Sequence, residues 1–489
     1  MLFNSHIFML LFLPLLLAGW YFLNWKKKFQ LAQGYLIGMS LWFYAYANLQ
    51  YLWLLLFSCL IGWLLSCLPE KISSEKGKKV LTGVGCVFHL GLLGYFKYSN
   101  FFLENLNTVF HTDFPMLQIL LPVGISFYTF QQLAYLIDRC RGDAPRDSFF
   151  DYLTFMVYFP QLLQGPILLR SEFMEQLKEP ERRRFHAERF SEGIQFFVFG
   201  LAKKVLLADT LAKAVNYGYS NVSMLDSISA LLLAVGYLTE LYFDFSGYCD
   251  MAVGLGKMIG LEVAENFDAP FHSASVKEFW RRWHMTLGRF FTRYVYIPLG
   301  GNRRGKMRTL CNVMIVMLLS GLWHGAAWTF VLWGFLHGVG MIWDNLEHPH
   351  LPKKWMRQAA TFAYVCMTFV FFRAESIAQG VDVLRSIVSL KWNGFVFQMA
   401  SALDMTEFYM ITKALSMKLP GLLSWFWLGI FVVLIAICFR VLSGEKVSGV
   451  VALQRQKGYG RLYPVLLAVL FTWSMISMTG VSEYLYFSF

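Results

Sequence analysis

Charged residues are scarce in this sequence. Lys, Arg, Asp and Glu make up 15% of its 489 residues, whereas an average soluble protein has about 25%. Hydrophobic residues make up 57%, which argues against an ordinary soluble enzyme and for side chains that face lipid. At about 20 residues for each membrane crossing, these hydrophobic residues are enough for roughly fourteen spans at most. We expect about eleven after allowing for short and re-entrant segments.

The sequence also lacks the apolar and polar alternation that membrane-spanning strands show. Its apolar residues are clustered in long runs instead, and such runs are typical of membrane helices. We therefore predict an all-α, polytopic membrane protein.

The N-terminus lacks two features of a cleaved secretory signal. Residues 7–25 carry no positive segment before the apolar run and no small-residue cleavage site, and they lead directly into Lys26, Lys27 and Lys28. We predict that this first span is retained. Because basic loops stay in the cytoplasm, the lysine triplet predicts an extracytoplasmic N-terminus.

Patterns of disulfide and metal sites are absent as well. The eight cysteines occur singly, mostly within apolar runs, and the sequence has no C-x-x-C pair and no H-E-x-x-H motif. We expect neither a disulfide framework nor a metal site. The net charge of +12 comes from basic residues in loops between apolar runs, where membrane orientation and anionic lipids explain it, so we expect no nucleic-acid partner.

The apolar runs indicate how the chain is organised. The stretch 34–68 is too long for one helix and is interrupted near 47–50, which predicts a tight helical hairpin, and 80–98 is predicted to cross outward. Further runs lie near 117–138, 149–169, 192–215, 227–248, 309–322, 323–345, 356–373, 422–442 and 461–480.

We treat 1–489 as one membrane-embedded domain. Peripheral helices are expected over about 1–116, the catalytic core over about 117–345 and C-terminal helices over about 346–489. The segment 391–420 is expected to be a mildly polar connection.

Two charged segments interrupt the apolar runs. Residues 170–190 are rich in Arg and Glu and are predicted to form a helical, solvated cytoplasmic connection. Residues 277–308 carry nine basic residues and a single acidic one, Glu278.

Within the second segment, four bulky residues recur at helical spacing: Phe279, Trp283, Leu287 and Phe290. They predict an amphipathic helix that is capped by Ser273 or Ser275 and followed by a turn at 298–302. Periodicity leaves two interpretations open. The helix is either interfacial and anchored by aromatic and arginine side chains, or re-entrant and lining a polar cavity.

His284 and His324 are the most informative of the ten histidines. His284 lies in the amphipathic segment, and His324 lies inside an apolar run between Gly321 and Gly325. An ionisable residue within a span is a functional hypothesis by default. The other open interpretation is a structural role, in which a neutral histidine donates a hydrogen bond to a backbone carbonyl. His337 would lie about 20 Å further along a continuous helix, which makes it a poor partner for His324.

A neutral imidazole in a water-poor cavity is a proton acceptor. In that role His324 would deprotonate a hydroxyl or thiol as it attacks an activated acyl group, which is typically worth about 10²–10⁴ in rate. Exclusion of water would limit hydrolysis of the donor. Four arginines would meet the phosphates of a donor such as coenzyme A: Arg281, Arg282, Arg303 and Arg304.

The motifs resemble those of a known family. The blocks FWRRWHMTLGRFFTRYVYIPLGGNRRGK (279–306) and LLSGLWHGAAWTFVLWGFLHG (318–338) resemble the membrane-bound O-acyltransferases. Further similar blocks lie at 122–142, 158–173, 242–271 and 484–489. The resemblance covers most of the chain and is greatest to the bacterial branch that contains the alginate O-acetylation membrane subunit. It is more distant to the teichoic acid D-alanyl-transfer membrane protein.

This resemblance implies a ring of transmembrane helices around a central tunnel, with His324 as the catalytic histidine and His284 as a second functional histidine. We assign donor and tunnel-mouth contacts to Arg281, Arg282, Trp283, Trp323, Asn302 and Arg303. Relatives usually carry Arg-Asp before the Y-x-Y-I-P-L-G-G block, where this chain has Thr292-Arg293. The missing carboxylate puts an ion pair at that position in doubt.

The resemblance further implies an O-acyltransferase of the bacterial inner membrane. It would move an acetyl or other small acyl group from a cytoplasmic thioester, acetyl-CoA or another, to an extracytoplasmic polysaccharide, directly or through an acyl-accepting partner protein. No permanently bound cofactor is expected. D-alanyl transfer to a teichoic-acid-type polymer stays open. A transporter or channel with a histidine proton relay is the alternative of another class, against which the lack of internal repeats argues.

Overall fold

The computed structural model describes residues 1–346, 352–442, 446–458, 460–478 and 484–485. All regular secondary structure in these ranges is helical, which confirms the all-α prediction. The pair His348 and His350, interpreted from the sequence as a surface feature, lies outside the described residues.

The N-terminal part consists of five α-helices: α1 (Leu13–Trp25), α2 (Phe29–Asn48), α3 (Leu52–Ser66), α4 (Glu75–Leu93) and α5 (Ser99–Phe110). A 3₁₀ turn at Leu49–Tyr51 separates α2 from α3, at the predicted interruption. Two π-helical segments, Phe8–Phe12 and Gly94–Tyr98, precede α1 and follow α4.

The central part holds eleven α-helices: α6 (Ile125–Arg141), α7 (Phe149–Val157), α8 (Phe159–Leu162), α9 (Arg170–Lys178), α10 (Ala187–Ala202), α11 (Asp209–Ser220), α12 (Ser227–Ile259), α13 (Val276–Arg282), α14 (Met285–Phe291), α15 (Lys306–His324) and α16 (Trp328–Trp343). Helix α9 lies in the charged segment that was predicted to be helical. Further π-helical segments follow α10 at Lys203–Ala208 and α14 at Thr292–Tyr296.

The described residues of the C-terminal part form seven more: α17 (Lys354–Arg373), α18 (Ile377–Val388), α19 (Phe395–Ser401), α20 (Tyr409–Lys418), α21 (Pro420–Leu442), α22 (Val447–Lys457) and α23 (Leu462–Ser477). Helices α19 and α20 lie in the segment 391–420, so describing it as a polar connection was incomplete. One face of α19 is buried against α11, α12 and α21.

Six helical segments of the described chain are long and apolar enough to cross a membrane: Phe8–Trp25, Leu49–Lys71, Glu75–Phe110, Ser227–Ile259, Lys306–His324 and Pro420–Leu442. Two shorter apolar helices, α16 and α23, accompany them. The expected number of about eleven spans is therefore not confirmed. Helix α6 lies in the apolar run 117–138, and almost all of its side chains are buried by protein.

Helix α12 is the centre of the bundle, with most of its 33 residues buried. Its start is fixed by Asp226, whose carboxylate accepts a hydrogen bond from the Ser229 N–H at 2.8 Å. Along its length, glycines of α12 face glycines of α10. A Cβ on Gly247 would lie 2.7 Å from the Gly200 carbonyl oxygen, so only glycine permits this close packing.

Candidate active site

His324 lies at a sharp reversal of the chain. Helix α15 ends at His324, the residues Gly325–Ala327 are not helical, and α16 runs back along α15. The continuous helix through His324 and His337 that was assumed from the sequence is therefore wrong. Gly321 makes the reversal tight, because a Cβ there would lie 2.4 Å from the Phe330 carbonyl oxygen. This glycine admits a neighbouring helix rather than a ligand.

Aromatic rings enclose the His324 imidazole, which is 3% exposed. The ring centroids of Trp323, Trp333 and Phe372 lie 4.9, 5.1 and 5.1 Å from it. The histidine is therefore held by protein and does not face lipid, which is the environment that a water-poor acyl-transfer site requires.

Side chains that follow α4 hold the end of α15. The Lys97 ammonium donates to the carbonyl oxygens of Trp323 at 2.7 Å and His324 at 3.0 Å. The Tyr98 hydroxyl donates to the Leu322 oxygen at 2.5 Å. These bonds satisfy carbonyls that a helix end leaves without partners, and the ammonium complements the negative end of the helix dipole.

His284 lies at a break in the predicted amphipathic helix. Ser275 caps α13 by accepting the Glu278 N–H at 3.1 Å, as predicted, but α13 ends at Arg282. His284 adopts a left-handed conformation with φ 46° and ψ 51°, and α14 then begins at Met285. One continuous helix is therefore wrong, and the segment forms two short helices that meet at a buried histidine. This shape favours the re-entrant interpretation over the interfacial one.

Asn266 stabilises the break at His284. Its side-chain oxygen accepts hydrogen bonds from His284 Nδ1 at 3.2 Å and from the Thr286 N–H and hydroxyl at 3.1 and 3.0 Å. Its backbone oxygen accepts the Met285 N–H at 3.0 Å. Since an amide oxygen only accepts, Nδ1 of His284 carries the proton and Nε2 keeps its lone pair.

The left-handed backbone of His284 costs about 1–2 kcal/mol for a residue with a side chain. Strain of this kind persists where the surroundings enforce it, and it is often found at functional sites. Here the hydrogen bonds of Asn266 enforce it, and they fix the direction of the imidazole.

Trp323 links the two histidines. Its indole centroid lies 4.9 Å from the His324 ring and 6.0 Å from the His284 ring. The two Trp-His dipeptides, which are 40 positions apart in the sequence, therefore meet in one aromatic cluster. This supports a shared site for both predicted histidines.

His337 has a structural environment. Its Nδ1 accepts the Trp280 indole N–H at 3.2 Å, and its Nε2 lies 2.9 Å from the Thr368 hydroxyl. The Thr368 hydroxyl donates to the Val365 oxygen at 2.8 Å, so it accepts from Nε2. Both nitrogens of this buried imidazole thus form hydrogen bonds with neighbouring helices.

Two cavities approach the last turns of α15. The first, which we call the histidine cavity, has a volume of about 40 Å³ and is lined by His324, Trp323, Lys97 and residues 121–127. The second, which we call the basic cavity, has about 450 Å³ and extends from Thr309 to Ser320 along α15. They share no lining residue, and Ser320 lies one helical turn before His324.

Three cationic side chains line the basic cavity: Lys277, Arg281 and Arg289. Arg289 also pairs with Glu172 at 2.5 Å, whereas Arg281 is exposed to solvent. The cavity is also lined by the apolar side chains of Leu287, Phe291 and Met317. This combination of cationic and apolar side chains suits a ligand that carries phosphates at one end and an apolar group at the other.

The other predicted donor residues are dispersed. Arg282 pairs with Glu278 at 2.9 Å, and Trp283 is packed among aromatic rings such as Phe279 at 5.3 Å. Asn302 and Arg303 are exposed on the turn after α14 and do not line the basic cavity. Their role in donor binding stays a prediction.

Arg293 has acidic partners after all. It pairs with Asp138 at 3.0 Å and with Asp143 at 3.1 Å, so the doubt about an ion pair at this position is removed by carboxylates on and after α6. Lys97 and Asn266 were missed from the sequence. The signal for Lys97 was its position as a lone charge at the end of the apolar run 80–98.

A larger apolar cavity of about 740 Å³ lies between α12 and α21. Asn266 contributes to its wall, but neither His284 nor His324 lines it. We therefore do not assign the chemistry to it. In the described part of the chain, no group of His, Cys, Asp and Glu is arranged to hold a metal ion.

Comparison with known proteins agrees with this geometry. Residues 145–379 match the model of the membrane-bound O-acyltransferase family. The chain is 35% identical over 423 residues to a peptidoglycan O-acetyltransferase of Helicobacter pylori, covering 80% of each chain. It is 39% identical over 389 residues to a protein of Azotobacter vinelandii named "Probable alginate O-acetylase", covering 77% of this chain and 76% of the relative.

A teichoic acid D-alanyltransferase of Bacillus subtilis is 28% identical over 271 residues, covering 52% of this chain and 69% of the relative. The extent and identity of these matches, together with the apolar helices, show a multi-pass membrane enzyme. This protein belongs to the membrane-bound O-acyltransferase family and is an O-acyltransferase.

Proposed function

We propose that this enzyme transfers an acetyl group from acetyl-CoA in the cytoplasm to a hydroxyl group of a cell-envelope polysaccharide outside the bacterial inner membrane. Transfer is either direct or through an acyl-accepting partner protein. The names of the relatives support this class of acceptor, since they include a peptidoglycan O-acetyltransferase and a probable alginate O-acetylase.

The main supporting observation is that His324 lines one cavity and lies one helical turn from a second. Its imidazole lines the histidine cavity, and the basic cavity reaches Ser320, one turn away on the same helix. The four basic residues Arg303, Arg304, Lys306 and Arg308 at the start of α15 predict that this end is cytoplasmic. The basic cavity would then receive the donor, and the histidine cavity would face the acceptor.

In this scheme His324 is the general base. It takes the proton of the attacking hydroxyl as the oxygen bonds to the acyl carbon, and it returns the proton to the leaving thiolate. His284 positions the donor or assists proton transfer through Nε2, since Nδ1 donates to Asn266. The aromatic enclosure of His324 excludes water, which protects the thioester from hydrolysis.

The size of the histidine cavity favours acetyl over larger acyl groups. Roughly 10–15 Å³ of such volume holds one water molecule, so a cavity of about 40 Å³ holds about three groups of that size. An acetyl group has three heavy atoms. A D-alanyl group is larger and carries an ammonium, which the Lys97 ammonium in the wall of this cavity would repel.

The first test is His324→Ala in purified enzyme, with acetyl-CoA as donor and alginate oligosaccharides and peptidoglycan fragments as acceptors. We expect acetyl transfer to fall by at least about 10² while the protein stays folded in detergent. His337→Gln is the matched control, because it alters a second buried histidine of the same hairpin. Transfer by His324→Ala at the wild-type rate would remove His324 from the mechanism.

The second test compares donors. Each added methylene in a filled cavity typically costs about 1–3 kcal/mol, or roughly 10-fold to 200-fold in kcat/KM. Propionyl-CoA is therefore expected to react at least about tenfold less efficiently than acetyl-CoA, and a D-alanyl thioester less efficiently still. Equal or better use of the D-alanyl donor would establish the alternative activity instead.

A further inference from the structure

Lys97 is a single charge in an apolar environment. Between Lys79 and Lys97 the sequence has no Lys, Arg, Asp or Glu, and Lys97 lies within one of the segments able to cross the membrane. A charge at such a position is expensive and is retained where it has a partner or a function.

The backbone directs Lys97 toward the site. The segment Gly94–Tyr98 is π-helical, and short π-helical turns occur frequently at functional sites. It brings both Lys97 and Tyr98 to the end of α15, where they donate to the carbonyls of residues 322–324. Of the two, Lys97 also lines the histidine cavity, whereas Tyr98 does not.

The ammonium is only partly neutralised. An ammonium has three N–H donors, and two of them are used by the Trp323 and His324 carbonyl oxygens. Within the described ranges, Lys97 forms no ion pair with a carboxylate. A negative charge that develops in the histidine cavity would therefore meet a preorganised cation beside the base.

We propose that Lys97 is a catalytic residue that stabilises the oxyanion formed when the acyl carbon is attacked. The inference rests on the proposed function, in which His324 is the base. The acceptor oxygen forms a bond to the carbonyl carbon, its proton moves to His324, and the carbonyl electron pair moves onto oxygen, which Lys97 binds. The intermediate then expels the thiolate, which takes the proton from the imidazolium.

The competing explanation is that Lys97 only holds the end of α15. Tyr98→Phe is a matched control for it, because it removes a neighbouring bond to the same helix end, to the Leu322 oxygen, without changing the histidine cavity. Lys97→Gln separates the two explanations further. Its amide keeps two N–H donors for the carbonyls of Trp323 and His324 but removes the positive charge.

The experiment measures kcat and KM for acetyl-CoA with the same acceptors, together with the melting temperature, for five proteins: wild type, Lys97→Gln, Lys97→Met, Tyr98→Phe and His324→Ala. Loss of one oxyanion donor typically lowers kcat by about 10²–10³. We expect this loss of kcat in both Lys97 variants, with KM within about threefold of wild type. The melting temperature of Lys97→Gln should be close to that of wild type. In Tyr98→Phe, kcat should stay within about threefold of wild type.

Two results would overturn the inference. One is Lys97→Gln with kcat within about threefold of wild type, which would leave only the helix-end role. The other is an equal fall of kcat in Tyr98→Phe and Lys97→Met. Lys97→Gln decides the question if Lys97→Met does not fold. Active His324→Ala would instead refute the proposed function, whereas inactive His324→Ala with active Lys97→Gln refutes this inference alone.

Discussion

Replacing Asn266 by Ala tests whether the bent backbone at His284 matters for the chemistry. The side-chain oxygen of Asn266 accepts three hydrogen bonds, from His284 Nδ1 and from the N–H and hydroxyl of Thr286. At roughly 1 kcal/mol net for each bond, the variant loses about 3 kcal/mol of stability. The left-handed conformation of His284, which costs about 1–2 kcal/mol, then loses its main support.

We expect the imidazole of His284 to leave its place beside Trp323 in this variant. If about 1.4–2.7 kcal/mol of that loss falls on the transition state, kcat decreases about 10-fold to 100-fold. The assay is acetyl transfer from acetyl-CoA, with the melting temperature measured in the same detergent. Asn266→Asp keeps an accepting oxygen and is expected to retain more activity than Asn266→Ala.

Asn312→Ala is the matched control. Asn312 is equally buried, and its side chain donates to the Gly301 oxygen at 2.9 Å, so its loss destabilises a turn without touching either histidine. We expect a smaller fall in melting temperature than in Asn266→Ala, because fewer hydrogen bonds are lost, and a kcat close to wild type. Similar kcat values for Asn266→Ala and Asn312→Ala would refute the argument that Asn266 acts through His284.

Two further predictions concern the donor and the second buried histidine of the hairpin. Arg281 is exposed and lines the basic cavity, so Arg281→Ala should raise the KM for acetyl-CoA about threefold to tenfold, or about 0.7–1.4 kcal/mol. The effect should shrink at high salt. Arg303→Ala, on the exposed turn, should change this KM less. A larger increase in KM for Arg303→Ala than for Arg281→Ala would favour Arg303 as the donor contact. His337→Gln should lower the melting temperature, because it disturbs the bonds to Trp280 and Thr368, while kcat stays within about threefold of wild type. A loss of transfer in stable protein would contradict the structural role.

Local signals in the sequence predicted the start of α13 and the helical character of its segment. Ser273 or Ser275 was expected as the cap, and Ser275 accepts the Glu278 N–H. Such caps can be predicted because they depend on residues only three positions apart. The period of the apolar residues across 279–290 predicted helix correctly on both sides of His284. It did not reveal the break between the helices, since a left-handed residue at one position leaves the pattern of apolar residues almost unchanged.

The supports of the site could not be found from local patterns. Lys97 bonds to the carbonyl of His324, 227 positions away. Asn266, in the loop between α12 and α13, bonds to His284 beyond the end of α13. Such contacts depend on how the helices pack, and period and composition do not specify that packing. The number of spans is not confirmed for a related reason. Composition does not distinguish apolar residues that face lipid from those that are buried against other helices, as in α6.

The two cavities near α15 share no lining residue, and this has a consequence for the membrane around the protein. A membrane protein with an open water-filled passage would let ions leak, and each elementary charge that crosses 100 mV dissipates about 2.3 kcal/mol. Trp323 lines the histidine cavity but not the basic cavity, so the two cavities do not form one continuous passage in the described structure. Under the proposed function, an acyl group would pass from its donor to its acceptor without an open channel, and the ion gradient that energises the membrane would be preserved.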